Sequence, residues 1–184
     1  NTLAFGANWA KTDIAAKLDE PGAECNLSGL YLVDDNRFTD VHLNAEHNAA
    51  HCSSREDFKG ILAGKGRAVF DGRIYVAQDA QKTDAHLSNK NLLLSRDAEV
   101  DTKPQLEIFA DDVKCSHGTT VGQLLPEQIF YLRSRGISES DAKKLLCLGF
   151  AGEIFASISN THLNEYCQQR VAELLYPSTA GESQ

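Results

Sequence analysis

Methionine is absent from the 184 residues, tryptophan occurs once as Trp9, and proline only four times. A chain that opens on Asn1 without an initiator methionine reads as part of a longer protein. Asn1–Gly6 carries no basic residue and no small-residue cleavage pattern, so no secretory leader is expected there. No apolar run approaches the length that spans a bilayer, which excludes a transmembrane helix. Positive charge is in short supply: the formal net charge of -8 argues against a general binder of nucleic acid or anionic membrane. Phosphate-loop chemistry is missing too, because Gly64-Lys-Gly66 is too short for a G-x-x-x-x-G-K-[ST] loop. No nucleophile elbow or Ser-His-Asp order stands out. Any ATP hydrolysis that the function needs is therefore expected from a partner.

Cysteine is present but unpatterned. Cys25, Cys52, Cys115, Cys147 and Cys167 form no C-x-x-C pair, which indicates neither a zinc module nor a disulfide framework. Reduced thiols in a cytoplasmic protein are the simplest reading. The 42% hydrophobic and 24% charged content is ordinary for a soluble globular protein. The length suits one domain with room for a small appendage.

From Asn8 to about Val121 the chain alternates in short stretches punctuated by Gly, Asn and Asp. Ala10, Thr12, Ile14, Ala16 and Leu18 share one parity, as do Thr39, Val41, Leu43 and Ala45. Further strand-like runs are Cys25–Val33, Phe58–Leu62, Arg67–Phe70, Arg73–Ala77, Thr83–Leu87, Leu92–Leu94, Leu106–Ala110 and Val113–His117. Asp71-Gly72 between two such runs is a hairpin signal. Against it, apolar clusters around Leu62, Val76, Leu94 and Phe109 recur at roughly 14 to 18 residues, a loose period of stacked rungs. Spacing leaves a hairpin sandwich or barrel and a β-helix both open.

Past Gly122 the period becomes helical. Pro126 and Glu127 suit a first turn, and Gly136 a stop. Ser138-Glu-Ser-Asp141 resembles a capping box with Asp in the usual Glu position, opening a helix with Ala142, Leu145, Leu146, Leu148, Ile154, Phe155 and Ile158. Asn160 or Thr161 caps a third helix, which Pro177 ends. The expected divisions are a β core over 1–122, a helical subdomain over 123–177 and a disordered tail over 178–184. The apolar stripe Leu145–Phe155 either covers the end of the β core or docks a partner.

One stretch carries chemistry. In VDTKPQLEIFADDVKCSHG, residues 100–118, Pro104 is expected to bar pairing just before a strand over Leu106–Ala110. Asp111-Asp112 then makes a turn, since adjacent residues on a strand face opposite ways and form no acid/base pair. Val113, Cys115 and His117 share the next face. A soft thiolate beside an imidazole suits iron, copper or zinc, but two ligands are half of a four-ligand site. The same face can equally be core, because free cysteine is among the most buried residue types. His47, His51 and Cys52 lie close in sequence, and surface or core-edge histidines account for them.

The same run, with KTDAHLSNKNLLLS before it and FYLRSRGIS after it, resembles the SufB/SufD family of iron–sulfur cluster assembly proteins, nearer its SufD branch. The likeness runs from about Asn44 to Phe155. It implies a right-handed parallel β-helix core followed by a small C-terminal α-helical subdomain, corresponding to the second half of a longer protein. It also implies a non-catalytic scaffold that pairs with a SufB-like paralogue and docks a SufC-like ABC ATPase, with a homodimer forming when SufB is missing. His117 and Cys115 would then lie at the paralogue interface as candidate ligands of a nascent iron–sulfur cluster. Leu145, Leu148, Ile154 and Phe155 would face the ATPase. The isolated chain is expected to hold no cofactor, a transient iron or cluster arising only in the complex. Two other readings remain, a β-helix carbohydrate-active enzyme and a self-associating structural β-helix. Scattered acids and the single Trp offer little for a sugar groove.

Overall fold

The computed structural model describes residues 1–175, which leaves the expected helix stop at Pro177 and the tail outside the described residues. Nine strands come first: β1 Thr2–Phe5, β2 Trp9–Leu18, β3 Glu24–Val33, β4 Phe38–His47, β5 Ser53–Leu62, β6 Arg67–Val76, β7 Asp84–Leu93, β8 Glu99–Ile108 and β9 Lys114–Gln123. Helices α1 Pro126–Arg133, α2 Glu139–Ala156 and α3 Thr161–Leu175 follow. The chain divides into two compact units, one ending at Gly122 and one starting at Gln123.

The strands form two parallel sheets, β1-β3-β5-β7-β9 and β2-β4-β6-β8, here called sheet A and sheet B. Every turn of the chain adds one strand to each sheet, which is a parallel β-helix. Trp9 pairs with Phe38 and Phe38 with Arg67, a repeat of 29 residues. Longer turns after Val76 and Leu93 stretch later repeats, so that Ser53 pairs with Asp84 and Arg67 with Glu99. The apolar clusters that recur in the sequence therefore mark half-rungs, as successive strands alternate between sheets.

Asp71-Gly72 makes no hairpin. Both lie inside β6, where Gly72 packs against the Phe70 ring and Leu87. Pro104 likewise sits within β8, opposite Gly72. The local signals were overruled by position. Strand β8 is one edge of sheet B, and Glu99 donates its N–H inward to Gly66 at 3.0 Å. Alternation then turns the Pro104 nitrogen to the free side, where no donor is needed.

Inside the solenoid, alternate residues stack in columns. Val41, Phe70, Ile74 and Val76 from sheet B meet Tyr31, Phe58 and Leu62 from sheet A. Phe58 and Phe70 lie 5.3 Å apart, ring centre to ring centre. Tyr31 and Asn91 reach towards each other past Gly60, where a Cβ would stand 2.2 Å from the Tyr31 ring. The Tyr31 hydroxyl donates to Asn91 Oδ1 at 2.5 Å and accepts from Asn89 at 3.0 Å, and Asn91 donates to Asn89 at 2.7 Å. This closed ring satisfies its own buried polar groups. Outward-facing Leu30, Leu32, Ile61 and Leu92 are buried too, in keeping with their continuous apolar runs.

In the helical unit the Ser138 hydroxyl accepts from the Asp141 N–H at 3.1 Å, the N-cap bond of the expected box, and donates to the Asp141 carboxylate at 2.7 Å. Asn160, not Thr161, caps α3, accepting from Leu163 N–H at 3.0 Å. Ala142, Cys147, Ala151, Ile154 and Phe155 form the buried stripe of α2. No helix among the described residues is long and apolar enough to cross a membrane.

Candidate interface site at the free strand edge

Among the described residues, strand β9 is the last of sheet A and has one neighbour, β7. Lys114 N–H donates to Thr83 O at 2.8 Å, which sets Lys114 beside Asp84 and therefore Cys115 beside Ala85 and His117 beside Leu87. By alternation the backbone groups of Cys115 and His117 face the free edge, while their side chains share the inward side. Cys115 packs half-buried against the core; His117 is exposed. The Asp111-Asp112 turn between β8 and β9 is present.

Burial pushes the Cys115 thiol above its ordinary pKa, and the charges of Asp84 and Glu56 push the same way against a backbone contact at Ala85. A thiol so placed stays protonated near neutrality, and deprotonation awaits a metal or a positive neighbour. Among the described residues no three His, Cys, Asp or Glu side chains converge to hold a metal ion. The chain offers one sulfur and one imidazole on an open edge.

His47 and His51 do not meet. His47 ends β4 inside the solenoid, 2.9 Å from Ser54 Oγ, and burial lowers its pKa. His51 occupies the corner between β4 and β5 with φ 61°, stacked between Gly22 and Lys82, which also take positive φ. Sequence reasoning passed over Glu56, buried on β5 between Ser54 and Phe58 with neither carboxylate oxygen hydrogen-bonded. Its parity with Phe58 was the available signal. It also passed over Asp84, His86 and Ser116 on the outer face, which only the rung spacing brings together.

The outer face of sheet B holds a groove of about 380 Å³ lined by Asp13, His42, Asp71, Arg73 and Gln105, among others. Its acids are engaged: Asp71 accepts from Gln105 at 2.9 Å and faces Lys103 at 3.9 Å, while Asp13 faces Lys11 at 3.5 Å.

In the helical unit, Leu145 is exposed, Leu148 half-buried, and Ile154 and Phe155 buried. Phe130 and Tyr131 on α1 are exposed, and a groove of about 390 Å³ runs between α1 and α2, lined by Glu127, Gln128, Tyr131, Leu132 and Leu146.

Residues 1–150 match the family described as SUF system FeS cluster assembly, SufBD core domain. The chain belongs to the SufBD core family. Among its relatives is the iron–sulfur cluster assembly protein SufD of Escherichia coli K12, 42% identical over 95% of this chain and 41% of that protein. The SufBD family protein slr0076 of Synechocystis is 37% identical over 91% of this chain and 37% of its own length. Protein ABCI7, chloroplastic, of Arabidopsis thaliana is 34% identical over 94% and 37%. The chain thus spans about two fifths of the curated relatives it matches, and the family match reaches back to residue 1, well before Asn44.

Proposed function

We propose that the chain works as a SufD-like, non-catalytic scaffold subunit in cytoplasmic iron–sulfur cluster assembly. It pairs along β9 with a SufB-like paralogue, or with a second copy when none is present, and its helical unit holds a SufC-like ABC ATPase. The observation that carries this reading is the Cys115–His117 pair on a free strand edge. Unpaired backbone groups there suit strand addition, and half a ligand set calls for a second subunit. Iron or the nascent cluster is the cargo, held between subunits for as long as they are joined. Cys115 would give a thiolate and His117 a neutral imidazole. All five cysteines are free, which suits a reducing compartment. For the ATPase, exposed Leu145, Phe130 and Tyr131 supply the contact surface, whereas Ile154 and Phe155 are buried and offer none.

The test is co-purification of the full-length chain with SufB-like and SufC-like proteins, then Cys115→Ala and His117→Ala in that complex. Each variant is expected to cut maturation of an iron–sulfur enzyme in cells by about tenfold or more, on the scale of lost metal-site groups. Undiminished maturation in both variants, or no recovery of either partner, overturns the reading.

A further inference from the structure

Outside the candidate ligands, one polar chain crosses three neighbouring strands on the outer face of sheet A. Arg55 on β5 donates through Nη1 to the carbonyls of Ser54 at 2.8 Å and Asp84 at 3.0 Å, so its head is tied to two backbones. Its Nη2 stands 3.1 Å from Asp84 Oδ1 on β7. The same oxygen lies 2.8 Å from Nε2 of His86, two residues along. The other ring nitrogen, Nδ1, meets the Ser116 hydroxyl on β9. Ser116 sits between Cys115 and His117.

We propose that His86, braced by Asp84 and Arg55, is a positioning residue for the Cys115–His117 pair and acts through Ser116. The proposal deepens the cluster-scaffold reading and rests on it for its purpose. An edge strand is bonded on one side only, so it twists about its own axis more freely than an inner strand. Strand β9 adds to this freedom: Gly118 and Gly122 have open space around them, and its side chains beyond Cys115 are exposed. Because side chains alternate across a strand, a tether on Ser116 outside fixes where Cys115 and His117 point inside. The bracing has the form of an outer shell that orients ligands from behind. The Asp84–His86–Ser116 succession is no hydrolytic triad, since Asp84 Oδ1 approaches the ring outside hydrogen-bond geometry.

The experiment measures iodoacetamide alkylation of the full-length chain under native conditions, with Cys115 and Cys25 followed separately by peptide mass spectrometry. Cys25 lies in the same inward column on β3 and reports general loosening. His86→Ala and Ser116→Ala are each expected to change the Cys115 rate by about threefold to tenfold, with Cys25 unchanged and the double variant no worse than either single. His86→Gln, which keeps an amide donor within reach of Ser116, is expected to restore most of the wild-type rate. A Cys115 rate that stays at the wild-type value, or Cys115 and Cys25 rates that rise together, overturns the proposal. Should cluster maturation prove indifferent to Cys115 and His117 while the alkylation pattern holds, the scaffold reading falls and the positioning role stands, because alkylation does not pass through cluster assembly.

Discussion

Glu56 is a carboxyl placed where its charged form is strongly disfavoured. It is 0% exposed, and burial raises its pKa from 4.5 to about 7, only partly opposed by Ser54 and Arg55. The folded protein therefore keeps a proton that the unfolded chain gives up, so this residue's contribution to stability declines as pH climbs from 4.5 to about 7 and is flat above. Glu56→Gln, which cannot ionise, should be more stable than wild type by about 3 kcal/mol at about pH 8 and nearly equal to it at about pH 4. Urea melts of both proteins across that range check this. His47 has the opposite sign. Its pKa is lowered, so its contribution is intact above 6.5 and declines as pH drops below. Of the candidate site, the sequence disclosed that Cys115 and His117 share a face, because a two-residue spacing is local. The contact of Ser116 with His86 spans 30 residues and depends on a rung length that no local pattern states.

At the scale of elements, glycine decides where rungs close. Gly60→Ala would drive a methyl into the Tyr31 ring and to 2.4 Å from Asn91 Oδ1, opening the buried ring of hydrogen bonds. A loss of about 1–3 kcal/mol is expected from the crowding, read as a lower urea midpoint with unchanged slope. Ser138→Ala should cost about 1 kcal/mol in the helical unit through loss of the α2 cap. Amide exchange at the start of α2 would show it. Inward glycine and asparagine explain why two strands looked shorter in sequence than they are. Gly72 on β6 and Asn89 and Asn91 on β7 interrupt the apolar parity, so each of these ten-residue strands reads as two short ones. The α2 cap was legible because a capping box is complete within four residues.

For the whole molecule, the proposed scaffold role places its two contact regions in two separate units and so predicts separable defects. Charge placed on the exposed apolar surface of the helical unit, as in Leu145→Asp with Phe130→Asp, should weaken capture of the ATPase by about tenfold or more without altering recovery of the paralogue. Substitutions at the free edge, such as Thr119→Pro, should do the reverse, since the nitrogen of Thr119 faces outward like those of Cys115 and His117. Pull-downs with each partner distinguish the two. Which large-scale architecture the strands build was open from spacing, because half-rung periodicity suits hairpins and coils alike. The register settles it.

Pro104 gives the molecule a stopped side. On the open border of sheet B it withholds the amide that an incoming strand would need, whereas β9 contains no proline. Strand addition after the last rung is thus discouraged at β8 and permitted at β9. Of these two borders, only the one beside the sulfur and the imidazole keeps an unbroken row of outward amides.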